Sequence, residues 1–476
     1  MNRGLDTMQG ALLVCILTPL LGAFLLPLVG RRAPKLRNAL SLVFVLAALT
    51  GSALLLPSVL GGEKPLLRWE LPLGLSFGFQ ADALAVFMAM TSSLVASVIL
   101  IYSFGYIKEY DNQNEYYLMA VLFLGAMMGL VYSTSLLAIY IFWEISAVCC
   151  WRLIGFYREE LTIQRANKAF IVTVLGALVM LVGFIGVWSQ TGTFELTAMK
   201  GTQIPVWCVS LILVGIFTKS ATFPLHSWLP DAGVAPSPVT SLLHAAVLVK
   251  IGVYAYARLF VSTFTIDPAF MVIVPAIAAV SALVSAGCAM VETDLKRIIA
   301  YSTISQLAFI FLGVSIGSES GLVGGMLYIL AHSVAKGGLF LCAGIVEHNL
   351  HTKDINRMGG LYKRFPLTAA AFALCSLSVM GVPPFSGYFA KFLVVKGALD
   401  AGHPLLAGVF ILGAFMTVFY LGRVFFKVFF GAEQGNLHAR EKTSGMVASV
   451  VFLGVLALGL LISLPTELAS RIWEVL

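Results

Sequence analysis

Five side chains stand where charge is costly. Glu144 is the ninth residue of the apolar run from Leu136 to Phe156, and Lys219, Lys250, Lys336 and Lys391 each fall inside other apolar runs. An acid or lysine at mid-membrane depth costs roughly 2.5 to 3.5 kcal/mol, so this set left unpaired would cost on the order of 10 kcal/mol, as much as the stability of a whole domain. Such groups must pair, face water or change protonation, which makes them functional candidates by default. Carboxylate and amine suit proton handling because each can also exist neutral in a low dielectric. A Lys219 ammonium is held while Glu144 is near, and its proton becomes labile when the pair opens. The competing reading is a static ion pair tying two helices together.

The histidines extend this set. His332 and Lys336 are four residues apart, hence on one helical face, and form a candidate relay. His244 and Lys250 share a run but lie six residues apart, about 240° around a helix, so an intervening group must connect them. For His244 a hydrogen-bonded core position is an equal reading. His348 follows Glu347 at the end of its run and can guard an exit, and His226 lies beside a helix break; a structural role stands equally open for both. His351 and His403 read as loop residues.

Positioning these groups requires helices. About 20 predominantly apolar residues cross a bilayer, and fourteen such stretches follow one another, starting near Ala11, Asn38, Ala83, Tyr116, Leu136, Lys168, Val206, Pro238, Phe270, Arg297, Gly321, Leu367, Leu405 and Met446. The expected fold is an all-α polytopic membrane protein, one membrane domain with short loops. Gly10 to Val29 is long enough to span and is followed by nothing resembling a signal cleavage site. The seventh span is interrupted after Lys219, through Phe223-Pro224 to Pro230-Asp231, and the twelfth at Gly381-Val382-Pro383-Pro384-Phe385-Ser386-Gly387, just before Lys391. Freed backbone groups belong beside a cavity rather than lipid. The breaks are five spans apart, and an odd offset inverts orientation. The chain therefore divides into N-terminal helices (1–110), two inverted five-helix repeats (115–260 and 270–430) and a last helix with the C-terminus (446–476). Coincidental proline kinks are the plainer alternative.

Composition excludes much else. With 59% hydrophobic and 11% charged residues, against about 25% charged in soluble domains, the solvent for most of the surface is lipid. The seven cysteines include no CxxC pair and no His/Cys cluster, and no phosphate-cradling glycine motif occurs, so neither cofactor nor metal is expected in this chain. Energy must then come from an ion gradient or a partner subunit. The net charge of +7 reflects basic loops after odd-numbered spans (Arg31, Arg32, Lys35, Arg37, Arg152, Arg158, Lys353, Arg357, Lys363, Arg364) rather than nucleic-acid binding. The positive-inside rule puts that side in the cytoplasm and both termini on the other.

These residues resemble the antiporter-like membrane subunits shared by respiratory complex I, membrane-bound energy-converting hydrogenases and Mrp-type cation/proton antiporters. The likeness is carried by Phe142-Trp143-Glu144 with Leu153-Ile154-Gly155-Phe156-Tyr157, by Thr218-Lys219-Ser220-Ala221 with Pro224 to Ala232, and by Pro236-Ser237-Pro238-Val239 leading to His244 and Lys250. Asp294 to Gln306, His332 to Phe340, Met358-Gly359-Gly360-Leu361 and Pro383 to Gly387 complete it, over residues 80 to 430 or so. The resemblance implies fourteen helices with inverted repeats, Glu144 and Lys219 as a functional pair, Lys250 as the central lysine, His332 and Lys336 as the connecting relay, and Lys391 as the terminal lysine. One branch has glutamate in place of Lys391, and the longest extends into a lateral helical arm that is not expected here. Family members work in large assemblies.

The resulting reading is a subunit translocating protons, or sodium, in a redox-driven complex with other membrane subunits, lipids and a peripheral redox arm. It would sit in an energy-converting membrane, expected to be a prokaryotic cytoplasmic membrane. An Mrp-type Na+/H+ antiporter subunit is the alternative. A symporter or scaffold is the third reading, and no substrate pocket chemistry supports it.

Overall fold

The computed structural model describes residues 2–70, 72, 76–433, 440–441, 444–459 and 463–474. Parts of the C-terminal segment 446–476, namely 460–462 and 475–476, lie outside the described residues. Every expected span is a helix: α1 (Thr7–Gly30), α2 (Pro34–Leu60), α3 (Ala83–Glu109), α4 (Gln113–Tyr132), α5 (Leu136–Ile154), α6 (Glu160–Thr191), α7 (Val206–Lys219), α8 (Ser237–Val261), α9 (Phe270–Val291), α10 (Leu295–Ser315) and α11 (Glu319–Leu350). The twelfth span is two helices, α12 (Pro366–Met380) and α13 (Ser386–Asp400), followed by α14 (Pro404–Phe430) and α15 (Gly445–Leu456). In lipid a helix is favoured because it satisfies its own backbone. Several starts are fixed by side chains: Asp82 accepts from the Ala85 amide and Asp294 from the Arg297 amide.

Burial sorts the helices. α8, α10 and α11 are buried over nearly their whole apolar length, whereas α1, α2 and α14 turn most of theirs outward. The buried trio carries Lys250, His332 and Lys336, so the chemistry sits on the helices furthest from lipid.

Three features depart from the fourteen-span expectation. A hairpin of β1 (Leu66–Glu70) and β2 (Ser76–Gln80) pairs antiparallel from Leu66↔Gln80 to Glu70↔Ser76, with Trp69, Phe77 and Phe79 in edge contact. A short amphipathic helix, α16 (Ser463–Glu474), buries Leu468, Ala469 and Ile472, and packs on α3 and α11. Finally, α8 is not regular: Leu242–Ala246 forms a wide turn, and Val247 (φ −125°, ψ −70°) leaves helical geometry between His244 and Lys250.

Both expected breaks are present. After Lys219 the chain leaves the helix, passes cis Phe223-Pro224 and makes one turn at Trp228–Asp231 before α8. After Met380, Gly381 takes φ +82°, the left-handed region that glycine enters without penalty, and α13 starts at Ser386 beyond cis Pro383-Pro384. Neighbours satisfy the freed groups. The Trp228 indole donates to the Thr218 carbonyl at 3.0 Å, the Phe223 amide to Ser281 Oγ at 3.1 Å, and the Ser386 amide to the Ala457 carbonyl at 3.2 Å.

Candidate functional site

Lys219 closes α7 at the first break, so its side chain reaches into the protein where the helix stops. Its ammonium donates to the Trp143 carbonyl at 3.1 Å and lies 5.2 Å from the centre of the Trp143 ring. Glu144 is not in ion-pair contact with it. Residue 144 is a step further round α5, on the side where Ile141 and Val148 are exposed; its carboxyl is hydrogen-bonded by Tyr140, and its Oε1 has no hydrogen-bond partner among the described residues. The expected pair is thus present as neighbours in an open arrangement, with Trp143 between α5 and the lysine.

The central groups meet more closely. Lys250 Nζ is 2.7 Å from His332 Nδ1, joining α8 to α11, and donates to the His244 carbonyl at 3.0 Å. The wide turn before Val247 brings that carbonyl to the lysine, so His244 meets Lys250 through its backbone and not its ring. The ring packs on Phe340 with centroids 4.4 Å apart, and both its nitrogens are buried with no hydrogen-bond partner among the described residues. One turn beyond His332 on α11, Lys336 donates to Ser302 Oγ and to the Ile299 carbonyl at 3.3 Å.

From Lys336 a polar bridge crosses the second half. Ser302 shares a 2.7 Å hydrogen bond with the Tyr420 hydroxyl, Gln306 Nε2 donates to Tyr420 and Thr417 at 3.2 Å, and Tyr328 donates to Gln306 Oε1. Lys391, on α13 beyond the second break, lies 5.7 Å from the Tyr328 ring centre and donates to the Val379 carbonyl at 2.7 Å. Ser302, Gln306, Tyr328, Thr417 and Tyr420 were not among the charges singled out in the sequence. Their signal is modest: Ser302 and Gln306 four apart, and Thr417 and Tyr420 three apart, each pair on one face of an apolar helix.

His226 and His348 do not join this line. His226 sits in the first break, its Nδ1 3.4 Å from the Pro224 carbonyl and its ring near Phe223 and Tyr301. His348 lies at the end of α11, 3.8 Å from Glu109 and against the Tyr106 ring. At that same end two ionic clusters appear that the sequence reading missed, because their members are far apart in the chain. Asp231 binds Arg165, Lys168 and Arg297, tying the first break to α6 and α10. Lys296 binds Glu347 at 2.9 Å and the Ala235 carbonyl at 2.7 Å, with Lys353 and Ser237 also on Glu347. Burial pushes the Asp231 carboxyl up, but hydrogen bonds from Lys168 and Arg297 and the charges of Lys168 and Arg165 outweigh it and hold it below its ordinary range.

A polytopic bundle with two broken helices and a line of lysines and histidines through its centre is the form of an ion-translocating membrane protein. Residues 133–417 match the family described as NADH:quinone oxidoreductase/Mrp antiporter, and residues 70–117 match the N-terminus of chain 5 of NADH-ubiquinone oxidoreductase (complex I). The chain belongs to the NADH:quinone oxidoreductase/Mrp antiporter family. It is 34% identical over 480 residues to NADH-quinone oxidoreductase subunit L of Mycobacterium tuberculosis, covering 96% of this chain and 75% of the relative. It is 31% identical over 482 residues to an Na(+)/H(+) antiporter subunit of Alkalihalophilus pseudofirmus, covering 93% and 60%. Among solved structures it resembles a chain of the Mrp complex from Dietzia (TM-score 0.89, 22% identity, 98% of this chain and 96% of that one) and one of respiratory complex I from Thermus thermophilus (TM-score 0.84, 25% identity, 98% and 99%). The chain spans from about half to three-quarters of the length of the relatives first matched.

Proposed function

We propose that this chain translocates protons as an antiporter-like subunit of a redox-driven membrane complex, with Lys250, His332, Lys336 and Lys391 as the conducting line and Glu144 and Lys219 as its switch. The observation that carries the reading is the 2.7 Å contact between Lys250 and His332, continued through Lys336 and the Ser302–Tyr420–Gln306–Tyr328 bridge towards Lys391. Amine, imidazole and hydroxyl can each give and take a proton, and the Gln306 amide holds the Tyr420 and Tyr328 hydroxyls in place between them. The redox groups are assigned to partner subunits in a peripheral arm. Both termini face away from the cytoplasm of a prokaryotic cell.

The test replaces Glu144→Gln and Lys219→Ala in the native assembly and follows proton uptake into membrane vesicles driven by electron transfer. Both should lose coupled uptake while the complex assembles, and wild-type uptake in both removes the reading. The 31% identity to an Na(+)/H(+) antiporter subunit over most of the chain favours a second reading, sodium/proton exchange driven by a gradient. Sodium-dependent proton flux without any electron donor would select it.

A further inference from the structure

Tyr254 and Arg258 continue the face of α8 that carries Lys250, one turn and two turns further on. Arg258 is therefore about 12 Å along the helix from the central lysine. Its guanidinium is fixed from several sides. Nη1 and Nη2 bind the two carboxylate oxygens of Asp82, the second at 2.8 Å, and Nε donates to the Tyr254 hydroxyl at 2.8 Å. Tyr254 donates in turn to the Val131 carbonyl at 2.6 Å, and Asp82 is itself held as the cap of α3. Beyond the pair lies a cavity of about 540 Å³, lined by the exposed Glu63 and Lys64 and by the far less exposed Asp82 and Arg258. It lies at the start of α3 and the end of α8, the end of the bundle away from Asp231.

Two directions lead away from Lys250. One runs sideways to His332 and into the second half of the protein, over a 2.7 Å contact. The other lies along α8, past the Tyr254 hydroxyl and Arg258 to the cavity; a link opened there would join the two faces of the membrane through the first half alone and dissipate any gradient. Arginine is poorly suited to the second path: it stays protonated and offers no acceptor, so it cannot take up a proton and pass it on, and its charge balances that of Asp82, which would otherwise draw cations in.

We propose that Arg258, anchored by Asp82 and Tyr254, is a plug: a positioning residue that closes the path from Lys250 to the cavity and commits protons on Lys250 to His332. The inference rests on the proton-translocating reading of the central line. It is tested in membrane vesicles holding the native assembly, by imposing a pH step without any driving reaction and following its decay with a pH-sensitive dye. Arg258→Gln should speed the decay by about tenfold, the effect of removing one fixed charge at this distance. Arg258→Lys should leak as well, because a lysine can release its proton where arginine cannot, and Lys250→Ala combined with Arg258→Gln should be tight again. An unchanged decay in Arg258→Gln overturns the proposal, and so does a leak that persists in the double variant, since it bypasses Lys250. If Arg258→Gln does not accumulate in the membrane, the double variant Asp82→Asn/Arg258→Gln, which removes the arginine without leaving Asp82 unpaired, takes its place in the same comparison. Driven transport by the wild type is read in the same vesicles: its absence removes the functional reading, whereas a tight Arg258→Gln in vesicles that do transport removes only the plug.

Discussion

Four of the buried lysines donate to backbone carbonyls and have no carboxylate in contact: Lys219 to Trp143, Lys250 to His244, Lys336 to Ile299 and Lys391 to Val379, whereas Lys296 is held by Glu347. Carbonyl oxygens stabilise an ammonium without trapping it as a carboxylate would, so each of these four keeps a site for a proton it can also release. His332 is the residue on which the two halves depend, because its Nδ1 is the contact from Lys250 to α11. His332→Ala should reduce driven proton transport at least about a hundredfold, the lower end of the range for loss of a positioned proton carrier, while assembly on native gels stays unchanged. Tyr420→Phe keeps the ring and removes the hydroxyl between Ser302 and Gln306, and should slow transport by a smaller factor. The charges were legible in the sequence because each interrupts an apolar run. The hydroxyl bridge was not, because serine, threonine and tyrosine enter membrane helices without an energetic signature, and which of them face one another depends on how α10, α11 and α14 pack.

At the level of elements, the two broken helices place lysines differently. Lys219 is the last residue before its break, whereas Lys391 lies five residues into the helix after its own. Proline and glycine announced both breaks. The wide turn in α8 had no such marker, since Leu242 to Val247 contains neither residue, and only the structure explains how His244 meets Lys250. The second break is closely packed: a Cβ on Gly387 would lie 1.9 Å from the Ser378 carbonyl oxygen, so Gly387→Ala must push α13 away from α12. It should cost about 1–3 kcal/mol in thermal stability and impair transport with Lys391 still present. The first break is held by Asp231. Its carboxyl titrates below the ordinary range, so its contribution is complete above the unfolded carboxyl pKa of about 3.9 and is lost as pH falls through the lower folded value. Thermal melts of the solubilised protein should show Asp231→Asn destabilised by about 1–3 kcal/mol at pH 6, less than a fully buried pair because its three cations are partly exposed, with the difference smaller at pH 3. An equal deficit at both pH values would deny the cluster that role.

The whole molecule separates its functions by depth. α8, α10 and α11 are enclosed and hold the central line, while the outward faces of α2, α6 and α14 display apolar side chains such as Leu54, Leu175 and Phe419 to lipid or neighbouring subunits. Glu144 lies towards such an outer face, where Ile141 and Val148 are exposed, which suits a switch sensitive to a neighbour in the membrane. Gentle purification from the native membrane should bring other membrane subunits with this chain, and iron–sulfur or hydrogenase-like subunits among them would identify the redox-driven assembly. The central claim is that charge crosses this protein through Lys250. It is tested most directly by Lys250→Ala in the intact assembly, with proton transport into vesicles and the amount of assembled complex measured side by side. The account predicts assembled complex with transport abolished. Wild-type transport with Lys250 gone would contradict it.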